Sequence, residues 1–232
     1  MGAPPAGDGG PHVFVASLEA PVLEDDDYHH LSRSLRTRDG DPITICDGDG
    51  RWRPARFGAA PEPTGEIVEV PTGRPSLGVG FVVPKGDRPN WIVQKLTELG
   101  VDRIQPLSSA RSVVRWDADK AASRSNRLRS VARSAAMQSR QVRIPVIEPL
   151  RPVSEVAVES GVAMAHRDGK PPSLAFSTIL VGPEGGWDSA ELALPAPHVD
   201  LGPSVLRAET AAIAAGTVLA LLRAQLVREH SE

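Results

Sequence analysis

The last two thirds of the sequence alternate between apolar strand patterns and helical patterns, and this alternation constrains the fold more than any other feature. Apolar runs at residues 77–83 and 178–181 predict buried strands. Residues 91–99, which end at Gly100, and the Ala/Arg-rich residues 118–138 predict helices. Further strands are expected at 103–107, 146–147, 162–165 and 199–201, and further helices at 153–159, 189–194 and 208–226. This order is typical of an α/β domain with a mostly parallel sheet.

The first third of the sequence has short strand patterns and tight turns instead. Strands are predicted at residues 12–18, 43–46, 52–57 and 66–70, and a short helix at 26–35. The run Asp47-Gly48-Asp49-Gly50 is a hairpin signal. Because residues 71–76 have the composition of a linker, we expect a small β-rich barrel domain over 1–72 and the α/β domain over 77–232.

Charge is unevenly distributed, although the net charge is only −3. Residues 103–143 contain nine Arg and one Lys against two Asp, which indicates contact with a polyanion such as RNA. Cys46 is the only cysteine, so an intrachain disulfide is excluded and we expect a small core residue. Neither a leader signature nor an apolar run long enough to span a membrane is apparent, and we expect a cytoplasmic protein.

Two glycine-bearing loops follow predicted strands in the last third. They are residues 180–187 (LVGPEGGW) and 201–210 (LGPSVLRAET), the second of which opens the last helix. Ligands of open α/β sheets bind beyond the carboxyl ends of strands, where glycine permits close backbone approach. Neither loop has the Lys-Ser/Thr pair of a phosphate-binding loop, and Glu184 favours a neutral or cationic ligand over a phosphate. Each loop alone is also compatible with an ordinary turn, and Glu209 and Thr210 with a helix cap.

The chain resembles the RsmE family, the 16S ribosomal RNA (uracil-N3) methyltransferases of the SPOUT class. The resemblance is strongest at residues 91–101, 111–115, 181–187 and 201–211, and weaker at 29–48. It implies a knotted α/β methyltransferase domain with a small N-terminal PUA-like β-barrel that binds RNA. It also implies S-adenosylmethionine as cofactor, 16S ribosomal RNA of the small ribosomal subunit as partner, and a homodimer.

The resemblance, with the local chemistry, assigns three sets of residues. The cofactor set is Leu180, Val181, Gly182, Pro183, Glu184, Gly185, Gly186, Leu201, Gly202, Ser204, Val205, Leu206, Thr210 and Ala211. The catalytic set is Arg207 for the developing uracil oxyanion, Glu209 and Thr210 for orientation, and His166 as a candidate base. The RNA-binding set is Arg33, Arg36, Arg111, Arg115, Arg124, Arg129, Arg133, Gln138 and Arg140. No metal-ligand set is apparent in the sequence.

The sequence departs from the family at two places. Where an acidic Glu-Ala-Ala-Glu-Gln-Ser-Gly is expected, residues 134–140 contain Ser134, Met137 and Arg140. Where His-Glu is expected, the chain has His166 and Arg167. These changes concern RNA contact rather than the cofactor loops. Three alternatives to this function stay open: a SPOUT enzyme with another RNA target, a non-catalytic RNA-binding or assembly protein, and a nucleotide-binding metabolic enzyme.

Overall fold

The computed structural model describes residues 2–112, 114 and 118–228. The chain divides into two compact units, one of Met1–Thr72 with Arg133–Ile144 and one of Gly73–Ala132 with Pro145–Glu232. The interpretation of the sequence placed residues 133–144 in the second domain, whereas they pack in the first unit. None of the helices in the described residues has the length and apolar character needed to cross a membrane.

The first unit is built on a five-stranded sheet. Its strands are β1 His12–Phe14, β2 Pro42–Cys46, β3 Arg51–Arg56, β4 Glu62–Pro63 and β5 Val68–Glu69, and helix α1 Asp25–His29 continues into a π-helical turn His30–Ser34. β1 runs parallel to β2, and β3 pairs antiparallel with β2, β4 and β5. The predicted hairpin is confirmed: the Asp47 Oδ1 accepts hydrogen bonds from the backbone N–H of Asp49 (2.8 Å) and Arg51 (3.0 Å).

Residues 133–144 complete the core of this first unit. Ala136 and Val142 pack with Phe14 and Cys46. The Gly50 N–H donates to the Val142 carbonyl at 2.9 Å, which ties the segment to the hairpin. Cys46 is fully buried, and burial raises the pKa of its thiol to about 12, so the thiol is an unreactive core group as expected.

The second unit contains a seven-stranded parallel sheet, as the alternating pattern predicts. Its strands are β6 Gly78–Val82, β7 Arg103–Ser108, β8 Val146–Ile147, β9 Arg151–Pro152, β10 Val162–Lys170, β11 Thr178–Val181 and β12 His198–Val199. They lie in the order β12-β10-β11-β6-β7-β8, with β9 beside β7. The helices are α2 Arg88–Glu98, α3 Ala118–Gln138, α4 Val153–Val156, α5 Ser189–Leu192 and α6 Ala208–Arg223, with a 3₁₀ turn at Leu174–Phe176. Residues 133–138 of α3 belong to the first unit.

Strand order explains where a ligand site can form. From β6 the chain first moves through β7 to β8, and it later fills the other side of β6 with β11, β10 and β12. Open parallel sheets bind ligands beyond the carboxyl ends of strands where the order reverses. The carboxyl ends of β11 and β12 carry the two loops that the sequence singled out.

Some elements differ from the predicted ones in their bounds, and two short strands were not predicted. The helix expected at 153–159 ends at Val156, and the helix expected at 208–226 ends at Arg223. Strands β4 and β9 were not predicted, because each has only two residues and each contains a proline. The predicted stop of α2 is confirmed, since Gly100 has a φ of +74° and the Val101 N–H closes the helix on the Leu96 carbonyl at 3.0 Å.

Candidate active site

A cavity of about 320 Å³ opens at the carboxyl ends of β11 and β12 and beside residues 165–167 of β10, and is called the strand-end cavity below. Both glycine-bearing loops form its walls. From the predicted cofactor set it is lined by Val181, Gly182, Pro183, Glu184, Gly186, Leu201, Gly202, Ser204, Val205, Leu206 and Ala211. Leu180 is instead a buried core residue, and Gly185 and Thr210 are exposed without lining the cavity.

The shape of the first loop depends on a glycine packed against a tryptophan. The Trp187 indole is buried, and its Nε1–H donates to the Ala165 carbonyl at 3.0 Å. A Cβ on Gly182 would lie 3.0 Å from the Trp187 ring, closer than side chains normally approach. Gly186 has a φ of +69°, a conformation that favours glycine. The packing at position 182 and the backbone conformation at position 186 therefore both favour glycine in this loop.

The second loop is shaped by Asp200, which the sequence did not single out. The Asp200 Oδ1 accepts a hydrogen bond from the Gly202 N–H at 2.9 Å, and Gly202 has a φ of +130°. Asp200 also lines the strand-end cavity. Aspartate side chains commonly stabilise a turn by accepting a hydrogen bond from the backbone N–H two residues later in the chain. The Asp-x-Gly spacing in the sequence could therefore have identified Asp200.

The cavity combines aliphatic walls with carboxylates. Val181, Leu201 and Leu206 supply apolar surface, and Glu184 and Asp200 supply negative charge. Such a lining suits a ligand that has an apolar, planar part and a cationic or hydrogen-bond-donating part. Within the residues described, no group of three or more His, Cys, Asp and Glu side chains is placed to hold a metal ion.

The four catalytic candidates are not all brought to the cavity. His166 lines it, and its ring centroid lies 5.0 Å from that of His198. Arg207 is exposed at the N-cap of α6 between two lining residues, and its side chain makes no capping hydrogen bond. Glu209 and Thr210 lie in the first turn of α6 and do not line the cavity.

Arg88 joins the cavity to the start of α6, and sequence reasoning missed it. Its guanidinium bonds the Glu184 carboxylate, and its Nη1 lies 3.6 Å from the Glu209 Oε2. Arg88 is the first residue of α2, where the helix dipole disfavours a cation. In the sequence, a cation at this unfavourable helix position could have indicated that Arg88 has an acidic partner.

Most of the predicted RNA-binding residues are exposed in the structure. Arg33, Arg36, Arg124, Arg129 and Gln138 present exposed side chains. Arg111 is also exposed, but its Nη1 donates to the Gly185 carbonyl at 2.8 Å, which places its charge on the first glycine loop. Arg115 lies outside the described residues.

Arg133 and Arg140 are engaged within the first unit. Arg133 makes a bidentate contact to the Asp27 carboxylate at 2.9 and 2.5 Å, and this hydrogen bonding raises the pKa of its guanidinium. Arg140 has a φ of +56°, at the position where the family pattern has glycine. Its guanidinium donates to the Gly7 carbonyl at 3.1 Å and also to the Gly10 carbonyl. Both arginines therefore have structural partners in the part of the chain described.

Comparison with known proteins agrees with this geometry. The RNA methyltransferase domain family matches residues 73–220, and the RNA methyltransferase PUA domain family matches residues 23–69. The ribosomal RNA small subunit methyltransferase E of Mycobacterium bovis is 32% identical over 222 residues, which cover 85% of each chain.

Solved structures of ribosomal RNA methyltransferases also match nearly the whole chain. The ribosomal RNA small subunit methyltransferase E of Neisseria gonorrhoeae, solved bound to S-adenosyl methionine, is 30% identical with a TM-score of 0.75, and the match covers 92% of this chain and 98% of that one. A probable rRNA-methyltransferase of Porphyromonas gingivalis is 27% identical with a TM-score of 0.77, over 94% of this chain and 100% of that one.

These matches confirm the predicted fold class, a mixed α/β SPOUT domain with a parallel sheet and an N-terminal PUA-like domain. They cover both units of the chain, and the cavity loops lie within the matched methyltransferase domain. The chain therefore belongs to the RNA methyltransferase family that includes the ribosomal RNA small subunit methyltransferases E.

Proposed function

We propose that this protein transfers the methyl group of S-adenosylmethionine to N3 of a uridine in 16S ribosomal RNA of the small ribosomal subunit. The observation that supports this most directly is the strand-end cavity between the two glycine loops. A relative that is 30% identical over nearly the whole chain was solved with S-adenosyl methionine bound, and curated relatives carry the small-subunit methyltransferase name.

The residues of the cavity fit this cofactor. Backbone groups of the loops around Gly182 and Gly202 can hydrogen-bond an adenine edge, and Val181, Leu201 and Leu206 can cover its faces. The carboxylate of Asp200 suits ribose hydroxyls, and that of Glu184 suits a positively charged group. S-adenosylmethionine, when bound, supplies a methyl group activated by its attachment to a sulfonium sulfur.

The residues around the cavity have two tasks in this reaction. They hold the target base in line with the methyl group, and they allow N3 to lose its proton, since the protonated nitrogen is a poor nucleophile. We assign to Arg207, which is exposed at the N-cap of α6, the task of stabilising negative charge on a uracil oxygen. Because N3 lies on the Watson–Crick edge, the base must be unpaired when it enters.

We assign RNA contact to the exposed members of the predicted set. Arg33 and Arg36 lie in the first unit, which contains the matched PUA domain, and Arg124 and Arg129 lie on α3. The exposure of their side chains supports contacts with phosphates. Arg111 is assigned a second task, since its bond to the Gly185 carbonyl supports the first cavity loop. We assign Arg133 and Arg140 to the integrity of the first unit.

Two further properties are proposed together with this function. A ribosomal RNA substrate supports action in the cytoplasm. A homodimer with the site near its interface is what the family resemblance implies, and we propose it on that ground. Light scattering coupled to gel filtration tests the dimer, and a monomer at micromolar concentration contradicts it.

Reverse transcription tests the proposed function with nucleotide resolution. Small subunits that lack the modification are incubated with the protein and S-adenosylmethionine, and the extracted 16S RNA is reverse transcribed. N3 methylation blocks base pairing, so we expect one new stop that requires both protein and cofactor. Methylation without a stop indicates a different target atom. Cofactor binding without any methylation of subunits or free 16S RNA favours a non-catalytic RNA-binding protein.

A further inference from the structure

Glu209 has an unsatisfied carboxylate oxygen beside the cavity. Its side chain is 13% exposed. Its Oε2 is buried, and no hydrogen-bond donor in the described residues reaches it. The Arg88 Nη1, at 3.6 Å, is within ion-pair range but beyond hydrogen-bond range. A buried acceptor left without a donor is unfavourable, so this oxygen is suited to accept a hydrogen bond from a ligand.

Arg88 determines where this carboxylate lies. Its guanidinium is shared between Glu209 at the start of α6 and Glu184 of the first glycine loop, and Glu184 lines the strand-end cavity. Without a cation between them, the two carboxylates would repel each other. Arg88 therefore holds Glu209 next to the cavity that receives the reacting groups.

We propose that Glu209 accepts the N3 proton of the target uracil, and that Arg88 is the positioning residue that holds it there. This inference rests on the proposed function. In the step, the N3–H bond breaks and an O–H bond forms at Glu209 while N3 keeps the electron pair. That pair forms the bond to the methyl carbon, the sulfur keeps the electrons of the broken C–S bond, and Glu209 later releases the proton to water.

The groups that face Glu209 leave it free for this task. Helix α6 packs on α2, β6 and β11 and contacts the 3₁₀ turn Leu174–Phe176. Neither β6, β11 nor that turn contains a titratable side chain. In α2 the charged groups are Arg88, already described, and Lys95 and Glu98, which bond each other. Arg207 lies two residues before Glu209, at the N-cap of α6. The ion-pair partner of Glu209 among the described residues is Arg88, which also bonds Glu184.

His166 is the competing base, and its surroundings are different. It lines the cavity, but its Nδ1 is 3.4 Å from the Asp168 N–H and 3.8 Å from the Asp168 carboxylate. It is therefore held by local contacts, whereas the Glu209 Oε2 has no donor. His166→Gln serves as the matched variant in the experiment below.

The test measures single-turnover methylation of small subunits from neutral to alkaline pH, together with cofactor affinity by calorimetry. The wild-type protein must first form 3-methyluridine; if it does not, the proposed function fails before this inference is tested. For Glu209→Gln we expect a rate about 10²–10⁴-fold lower at neutral pH, with cofactor affinity unchanged. At alkaline pH the uracil loses its N3 proton to solvent, so the deficit of the variant shrinks by about tenfold per pH unit relative to wild type.

A merely structural role for Glu209 gives the opposite pattern, namely a deficit that is equal at every pH or a loss of cofactor binding. Either result overturns the proposal, as does a pH-dependent deficit in His166→Gln with none in Glu209→Gln. For Arg88→Leu we expect a lower single-turnover rate at an unchanged half-saturating concentration of the subunit. For Arg88→Lys we expect recovery of most of the rate, because lysine keeps the charge. An Arg88→Leu variant with the wild-type rate overturns the positioning role.

Discussion

Replacing Arg133 tests whether its charge serves the first unit or the RNA. The Asp27 side chain is 9% exposed and that of Arg133 is 29% exposed, and the two form a bidentate pair. Exposed pairs contribute up to about 1 kcal/mol, whereas breaking a buried pair costs about 3–5 kcal/mol. In this pair the Asp27 side chain is buried and the Arg133 side chain is partly exposed, so an intermediate value applies. We therefore expect Arg133→Met to lower the free energy of unfolding by about 2–3 kcal/mol.

Hydrogen exchange of the β2–β3 amides reports on the first unit alone, and urea unfolding gives the free energy. The control is Arg129→Met on the same helix, whose side chain is exposed and bonds only the neighbouring Asn126 among the described residues. For this control we expect a change within about 0.5 kcal/mol. The double variant Asp27→Asn/Arg133→Met should recover part of the loss, because no charged carboxylate is then left buried.

Two outcomes would refute this reasoning. The first is an Arg133→Met variant that unfolds like wild type but binds RNA less tightly, with a shallower salt dependence. That result would make the guanidinium a phosphate contact. The second is an equal loss of stability in Arg129→Met, which would show that the helix and not the ion pair is responsible.

Three further predictions concern the cavity and the buried groups. A Cβ at position 182 would lie 3.0 Å from the Trp187 ring, whereas one at position 185 makes ordinary contacts of 3.8 Å or more. By calorimetry, Gly182→Ala should therefore weaken S-adenosylmethionine binding about tenfold or more while Gly185→Ala does not, and equal effects would contradict the packing argument. His12 is buried, and desolvation lowers its pKa from 6.5 to about 4. The unfolded chain thus binds a proton that the folded chain does not, so stability falls by up to about 3 kcal/mol as pH drops from 6.5 to 4, and His12→Gln should remove this part of the pH dependence in urea titrations. Cys46, with a pKa raised to about 12, should resist alkylation at pH 8 until the protein is unfolded, and rapid labelling of the native protein would contradict its burial.

Elements with strong local signals were predictable from the sequence. The bounds predicted for α3 and β11 are those observed, because helical composition and a short apolar run determine them locally. The turn at Asp47–Gly50 follows from side-chain and glycine chemistry within four residues. The loops of the strand-end cavity were predicted from the strands that precede them together with the family resemblance, since each loop alone is compatible with an ordinary turn.

Long-range pairing was not predictable in this way. Nothing local to residues 133–144 indicates that Val142 bonds Gly50 or that Arg133 pairs with Asp27, since these partners are distant in sequence. Arg140, where the family pattern has glycine, adopts the conformation expected of that glycine and uses its side chain on Gly7 and Gly10. Arg88 was missed because its two carboxylate partners meet it only in the folded chain.

An isotopically labelled methyl group tests whether the protein transfers the methyl of S-adenosylmethionine to N3 of a uridine. Small subunits that lack the modification are incubated with the protein and S-adenosylmethionine carrying a trideuterated methyl group, and the RNA is digested for mass spectrometry. We expect trideuterated 3-methyluridine with wild-type protein and a strong reduction with Arg207→Ala. A labelled nucleoside of another kind, or no label in RNA when cofactor binding is intact, would contradict it.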